Sequence, residues 1–133
     1  MDGSGVRIER RGDVLCLTLH RPERRNAFDG EMIEAVQGAL EGLPPGIRAV
    51  LLAGEGKAFC AGANLPWMAG AERASAEVRP EVERISRFYA SLDAVPVPVL
   101  ARVHGPAAGG GVGLVAVADI AVAAEGATFQ LSE

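Results

Sequence analysis

Short apolar segments alternate with amphipathic segments along this chain, and that alternation restricts its fold more than any other feature. The segments 49–53, Val99–Val103 and Ile120–Ala123 are almost entirely apolar, which is typical of buried strands that are covered on both faces. Between them, apolar residues recur with a period of 3.6 residues, which predicts helices. The apolar positions of the two longer predicted helices are Met32, Ile33, Val36, Leu40 and Leu43, and then Val82, Ile85, Phe88, Tyr89 and Leu92.

A predicted β-hairpin precedes this alternation. The segments 6–10 and Val14–Leu19 have strand-like patterns, and the corner at 11–13 predicts a turn between them. The resulting order β-β-α-β-α-β-α-β indicates the α/β class with much parallel pairing. No internal boundary divides the 133 residues, so we expect a single domain over residues 1–133.

Charge and composition exclude several classes of function. The chain has 13 basic and 17 acidic residues and a net charge of −4, so it lacks the basic footprint of a nucleic-acid-binding protein. Its longest apolar run is far below the roughly 20 residues that cross a bilayer. The N-terminus has no apolar signal region, and two cysteines cannot build a dense disulfide framework. We therefore expect a cytoplasmic protein without a nucleic acid or membrane partner.

The segment 105–113 reads GPAAGGGVG and lies between a predicted strand and a predicted helix. Its adjacent glycines leave backbone N–H groups uncovered, where the first N–H groups of a helix have no internal partners. Such a segment suits an anion or a developing oxyanion; the alternative is that the glycines only let the helix pack closely on the sheet. The arginines at 21, 24 and 25 form a cluster on a predicted loop. They are either exposed to solvent only or contact the phosphates of a ligand bound at the glycine-rich segment.

Residues 111–116 also fit the dinucleotide pattern G-x-G-x-x-A, with Glu133 roughly where a ribose-binding acid would stand. A dinucleotide fingerprint turns directly from strand into helix, whereas the segment 104–110, which includes Pro106, intervenes here. This disfavours dinucleotide binding.

Glu133 is the acidic residue best suited to proton transfer, because it follows the mostly apolar segment 127–132. A carboxyl group in such surroundings has a raised pKa and exchanges protons near neutrality. His20 and His104 lack the spacing of metal ligands, so no metal site is predicted. Cys60 as a nucleophile with His104 as its base is a further hypothesis, although a buried free thiol is the commoner case.

Together these segments resemble the enoyl-CoA hydratase/isomerase (crotonase) superfamily. The matching blocks, in family order, are RPERRNA at 21–27, AFCAGANL at 58–65, VHGPAAGGG at 103–111, DIAVA at 119–123 and ATFQLSE at 127–133. The resemblance implies a crotonase-like spiral of ββα turns that binds an acyl-coenzyme A thioester, with no cofactor beyond the coenzyme A of the substrate.

The resemblance also implies roles for individual residues. Ala63 and Gly110 match the two backbone N–H donors to the thioester oxygen, and Glu133 matches a glutamate that activates water, as its base, for addition to the double bond. The residues implied to bind substrate are Arg25, Asn26, Ala27, Ala61, Ala63, Asn64, Leu65, Pro66, Gly110, Gly111 and Gly113.

Two positions depart from the pattern of the hydratases. A glutamate is common where this chain has Gly113, and an aspartate is usual where it has Asn64. A single remaining glutamate resembles the Δ3,Δ2-enoyl-CoA isomerases and also a methylglutaconyl-CoA hydratase-like branch, which we favour. A non-catalytic acyl-CoA-binding or assembly subunit is the alternative from another class.

Members of this superfamily are longer, with a C-terminal helical region that caps the site and builds trimers. The resemblance therefore implies that residues 1–133 form the N-terminal half, truncated before that region. It implies a homo-trimer or a dimer of trimers for a full-length chain.

Overall fold

The structure is a computed structural model that describes residues 3–64, 66–67 and 80–131. It confirms the α/β class and the hairpin at the N-terminal end. Its elements are β1 (Val6–Arg11), β2 (Val14–Leu19), a 3-10 helix (Pro22–Arg24), α1 (Gly30–Glu41), β3 (Ala49–Gly54), α2 (Pro80–Ala94), β4 (Val99–Val103), β5 (Ala107–Ala108), α3 (Gly110–Val117), β6 (Ile120–Ala123) and β7 (Phe129–Gln130).

The main sheet has five strands in the order β1-β2-β3-β4-β6. β1 and β2 are antiparallel, and every other pair is parallel. One row of paired residues crosses the whole sheet through Ile8, Leu17, Leu52, Ala101 and Ala121. The two-residue strands β5 and β7, which the sequence did not predict, pair in parallel as a separate small sheet.

Helix α1 begins where the sequence predicts it, because the Asp29 carboxylate accepts a hydrogen bond from the Met32 N–H at 3.1 Å and caps the first turn. Its apolar stripe is buried against the sheet. Helix α2 packs beside it and buries Phe88 and Leu92. The Phe88 ring meets that of Phe28 edge to face at 5.6 Å, so α2 is fixed beside the chain that enters α1.

Strand β6 differs from the sequence prediction of another buried strand. All four of its residues are exposed, with Ile120 at 53% and Val122 at 62%. β6 lies at the edge of the main sheet. No helix covers its side chains in the part of the chain that the structure describes. The prediction of a strand at Ile120–Ala123 is therefore confirmed, and the prediction that this strand is buried is wrong.

None of the described helices is long and apolar enough to cross a membrane.

Candidate active site

The loop that follows β3 and the glycine-rich segment before α3 lie side by side. The Ala108 N–H donates to the Cys60 carbonyl at 3.0 Å, and the Phe59 N–H donates to the Pro106 carbonyl at 3.0 Å. Gly62 has a φ of 98°, a conformation that residues with side chains rarely adopt, and a Cβ there would lie 3.0 Å from the Gly110 nitrogen, so glycine is favoured at this approach. The two segments singled out in the sequence thus meet at Gly62 and Gly110.

The N–H group of Ala63 faces away from the segment around Phe28, to which the residues on either side of Ala63 are hydrogen-bonded. The Phe28 N–H donates to the Gly62 carbonyl and the Asn64 N–H donates to the Phe28 carbonyl, both at 2.7 Å. In such a parallel bridge, the residue between the two bonded groups points its own N–H to the opposite side. Within the described residues, the Ala63 N–H has no hydrogen-bond acceptor.

Gly110 presents the second unpaired amide. It is the first residue of α3, where a backbone N–H has no partner inside the helix, and none of the described residues accepts a hydrogen bond from it. The N-terminal end of a helix also carries partial positive charge. Ala63, in the loop after β3, and Gly110, at the start of α3, therefore lie on adjoining segments, and neither amide has an acceptor among the described residues.

A cavity of about 380 Å³ opens beside these loops and is lined by Arg25, Lys57, Ala58, Ala61, Pro106, Ala108 and Gln130. Ala61 and Ala108 each stand two residues before a predicted donor. The lining combines small or apolar side chains with two cationic ones, which suits a ligand that is apolar in part and anionic elsewhere. Arg25 and Ala61 were predicted as substrate contacts, and the rest were not.

Lys57 lines this cavity but was not predicted as a site residue. It is the only lysine in the chain and lies in the loop beyond the C-terminal end of β3, where α/β sheets place ligands. This position at the end of a predicted buried strand is the sequence feature from which Lys57 could have been predicted to lie near a ligand. Of the other arginines in the predicted cluster, Arg24 pairs with Asp29 at 3.4 Å, and Arg21 donates to the carbonyl of Gly3.

Asn26 serves the site as a structural residue. Its side chain is fully buried and accepts from the Arg21 N–H at 2.7 Å while donating to the carbonyls of Glu55 at 2.8 Å and Ala58 at 3.0 Å. The backbone at Arg25 and Asn26 has positive φ, 53° and 59°. The Asn26 side chain therefore joins two loops of the site, and the contact of Asn26 with substrate stays a prediction.

The other predicted residues outside α3 differ in their surroundings. Asn64 is buried and caps a helical turn, because its side-chain oxygen accepts from the Trp67 N–H at 2.9 Å. Ala27 is buried and Pro66 is exposed. Leu65 and the predicted acid Glu133 lie outside the described residues.

Gly111 and Gly113 both sit on α3 against other elements. Gly111 touches the Cys60 carbonyl so closely that a Cβ has no room. Gly113 faces α2, where a Cβ would be 2.8 Å from the Tyr89 ring. Both glycines allow close packing of α3, and their contact with substrate stays a prediction.

Cys60 is not paired with a base. Its thiol donates to the Asn26 carbonyl at 3.2 Å, and burial raises the pKa of Cys60 to about 12. His104 instead bonds the Gly56 carbonyl at 2.7 Å. The hypothesis of a Cys60 nucleophile with His104 as its base is wrong. The described residues also contain no group of three or more His, Cys, Asp or Glu side chains that could hold a metal ion.

The chain is similar to several known proteins. A Mycobacterium tuberculosis protein named as a probable enoyl-CoA hydratase is 37% identical over 118 residues, which cover 88% of this chain and 46% of that protein. The crystal structure of an enoyl-CoA hydratase from Mycobacterium smegmatis matches with a TM-score of 0.89 and 38% identity, covering 96% of this chain and 51% of that one. A Shewanella pealeana enoyl-CoA hydratase matches with a TM-score of 0.87 and 34% identity, covering 94% of this chain and 48% of that one.

The chain spans about half the length of the curated relatives it matches. The sequence model that describes enoyl-CoA hydratase/isomerase matches residues 9–133, which is nearly the whole chain. The structural neighbours share its arrangement of strands and helices over more than nine-tenths of its residues. The chain therefore belongs to the enoyl-CoA hydratase/isomerase family and has the crotonase fold.

Proposed function

We propose that this chain carries the thioester-binding part of an acyl-CoA hydratase, which adds water across the conjugated double bond of an enoyl-CoA. The observation that carries the proposal is the meeting of two loops at Gly62 and Gly110, with the amides of Ala63 and Gly110 unpaired among the described residues. In this proposal, both amides donate to the thioester oxygen.

The chemistry explains why fixed donors are useful at that oxygen. Addition of water to an enoyl thioester builds negative charge on the carbonyl oxygen, and preorganised N–H dipoles stabilise that charge more in the transition state than in the substrate. Loss of one such donor typically lowers the rate by about 10²–10³. The Glu133 carboxylate is the proposed base, which takes a proton from the water as its oxygen adds to the double bond.

The cavity beside the donors is the proposed site for the coenzyme A portion of the substrate. Arg25 and Lys57 supply positive charge there, which complements phosphate groups, and Ala61 and Ala108 leave the backbone accessible to a narrow chain. No cofactor besides this coenzyme A is needed. We further infer a cytoplasmic homo-trimer or dimer of trimers for the full-length protein, from the family resemblance alone.

Within the family, we favour the methylglutaconyl-CoA hydratase-like branch. The support is the glycine at position 113 together with the segment NLPWM at 64–68, which resembles that branch. The same glycine favours a second candidate, a Δ3,Δ2-enoyl-CoA isomerase, since one acid suffices to move a proton between two carbons of the substrate. A non-catalytic acyl-CoA-binding or assembly subunit is the third candidate, because Gly113 has no side chain where a glutamate is common.

Two measurements separate these functions. Calorimetric titration with a saturated acyl-CoA tests binding, and the ultraviolet absorbance of the conjugated thioester tests turnover. Loss of absorbance from a 2-enoyl-CoA identifies hydration, and gain of absorbance from a 3-enoyl-CoA identifies isomerisation. Binding with neither change identifies the binding subunit, and absence of acyl-CoA binding overturns the proposal.

The variant Glu133→Gln tests the assigned base. We expect it to abolish either reaction while leaving the affinity for a saturated acyl-CoA unchanged. Unchanged turnover in this variant would refute the role of Glu133.

A further inference from the structure

The phenol of Tyr89 occupies the space that a side chain at position 113 would need. A Cβ on Gly113 would lie 2.8 Å from both the Cζ and the hydroxyl oxygen of Tyr89, and a Cβ on Gly110 would lie 2.9 Å from that same oxygen. The first turn of α3 therefore packs against a ring that comes from α2. Only glycine at both positions allows this contact.

The Tyr89 hydroxyl also makes a specific bond to the glycine-rich segment, because it donates to the Gly110 carbonyl at 2.7 Å. Residues 109–111 are three glycines in succession, which lose much conformational freedom on ordering and have no side chains to hold them. The backbone bond from the Gly109 N–H to the Gln130 carbonyl restrains this segment at 2.9 Å. Tyr89 provides the one side-chain hydrogen bond to it among the described residues.

The ring itself is held firmly. It stacks on Phe88 with ring centres 5.9 Å apart, and Phe88 in turn packs edge to face on Phe28. Burial raises the pKa of Tyr89 to about 12, so the phenol is protonated at neutral pH and remains a donor. A rigid aromatic group with a protonated hydroxyl is well suited to fix a flexible backbone.

We propose that Tyr89 is a positioning residue. It anchors the Gly110–Gly111 peptide through the Gly110 carbonyl, so that Gly110 is held with its N–H, in the preceding peptide, pointing at the thioester oxygen, and it fills the space left open by Gly113. The inference rests on the proposed function, since it assigns the Gly110 amide to the substrate. Tyr89 acts through the backbone and does not itself contact the reacting atoms.

The test uses a chromophoric ligand that reports on the carbonyl. The probe is a cinnamoyl-CoA with a para-dimethylamino group, whose absorption band moves to longer wavelength when its thioester carbonyl is polarised. We expect Tyr89→Phe, which keeps the ring, to bind the probe with an affinity within about threefold of the unsubstituted chain while losing more than half of the band shift. A change in stability alone lowers the amount of bound probe and does not move the band.

Matched variants complete the test. Gly113→Ala should lose the band shift in the same way, because its Cβ displaces the phenol, whereas Gly38→Ala, a helical glycine with open space around it, should keep it. Ser91→Ala removes another α2 hydroxyl, one that bonds the Arg87 carbonyl at 2.8 Å, and should also keep it.

The outcomes distinguish this inference from the proposed function. A full band shift in Tyr89→Phe overturns the role of Tyr89 and leaves the proposed function standing. Failure of the unsubstituted chain to bind the probe overturns the proposed function and, with it, this inference.

Discussion

The backbone carbonyl of Cys60 lies directly against the Cα of Gly111, leaving no space for a Cβ between the loop after β3 and the first turn of α3. Because both contacting groups are backbone, neither can move aside as a flexible side chain does. The approach of the two loops, and with it the arrangement of the proposed donors, depends on this contact.

We therefore predict that Gly111→Ala lowers the free energy of unfolding by about 2 kcal/mol or more, since overpacking of a buried contact typically costs 1–3 kcal/mol. Gly38→Ala, in the exposed middle of α1, should raise it by about 0.5–1 kcal/mol. Urea unfolding of both variants checks the difference, and equal stability of the two would contradict the contact.

Asn26→Ala should lower the free energy of unfolding by about 3 kcal/mol, because it leaves buried backbone groups without partners at a residue with positive φ. Gln37→Ala is the control, since the only side-chain hydrogen bond of Gln37 within the described residues is a 3.4 Å contact to Ser91, and its effect should stay within about 0.5 kcal/mol. A similar small loss in both variants, measured by denaturant unfolding, would show that Asn26 does not join the loops.

The Cys60 thiol should resist alkylation in the native chain. With the pKa of Cys60 raised to about 12 by burial, very little thiolate forms at pH 8, and the thiolate is the reactive form. Mass spectrometry after iodoacetamide treatment should find Cys60 unmodified in buffer and fully modified in denaturant. Complete modification of native Cys60 at pH 8 would exclude this environment.

Stability should fall in alkaline solution. The pKa of Cys60 rises from 9.0 to about 12 and that of Tyr89 from 10.0 to about 12 on folding, so above pH 9 the folded state binds more protons than the unfolded one. The stabilisation is complete below pH 9 and is lost as pH rises toward 12. Unfolding curves between pH 8 and 11 test this slope, which should be shallower in Tyr89→Phe above pH 10; a flat profile in the unsubstituted chain would contradict it.

Lys57→Gln should weaken coenzyme A binding about fivefold to tenfold at low ionic strength, because it removes one cation from the cavity that is proposed to hold the phosphates. Added salt should reduce the difference by screening. Arg48→Gln changes the net charge equally, but Arg48 is exposed and does not line the cavity. The affinity of this variant for coenzyme A should therefore equal that of the unsubstituted chain. Equal effects of the two substitutions in calorimetric titrations would place the phosphates elsewhere.

Elements with a clear repeat could be predicted from the sequence. The hairpin, the capped helix α1 and the central strands follow from their apolar patterns. Strands β5 and β7 could not be predicted, because two residues carry no repeat. The exposure of β6 could not be predicted either, because the apolar pattern of a strand does not say whether another element covers it.

The candidate site was predictable in part. The glycine-rich segment and the loop after β3 were identified from residue types, and the structure brings them together. The roles of Asn26 and Tyr89 depend on contacts between residues about 20 to 30 positions apart, which no local pattern encodes. Tyr89 lies at a helical spacing typical of core residues, so its hydroxyl bond to the glycine-rich segment was hidden in an ordinary apolar face.

The buried amide of Asn26 ties the segment around Arg21 to the loop around Ala58, so neither can swing open without the other. These two stretches should consequently exchange their amide hydrogens with solvent as one cooperative unit. The pocket is therefore preformed, and ligand binding costs little conformational entropy of these two loops.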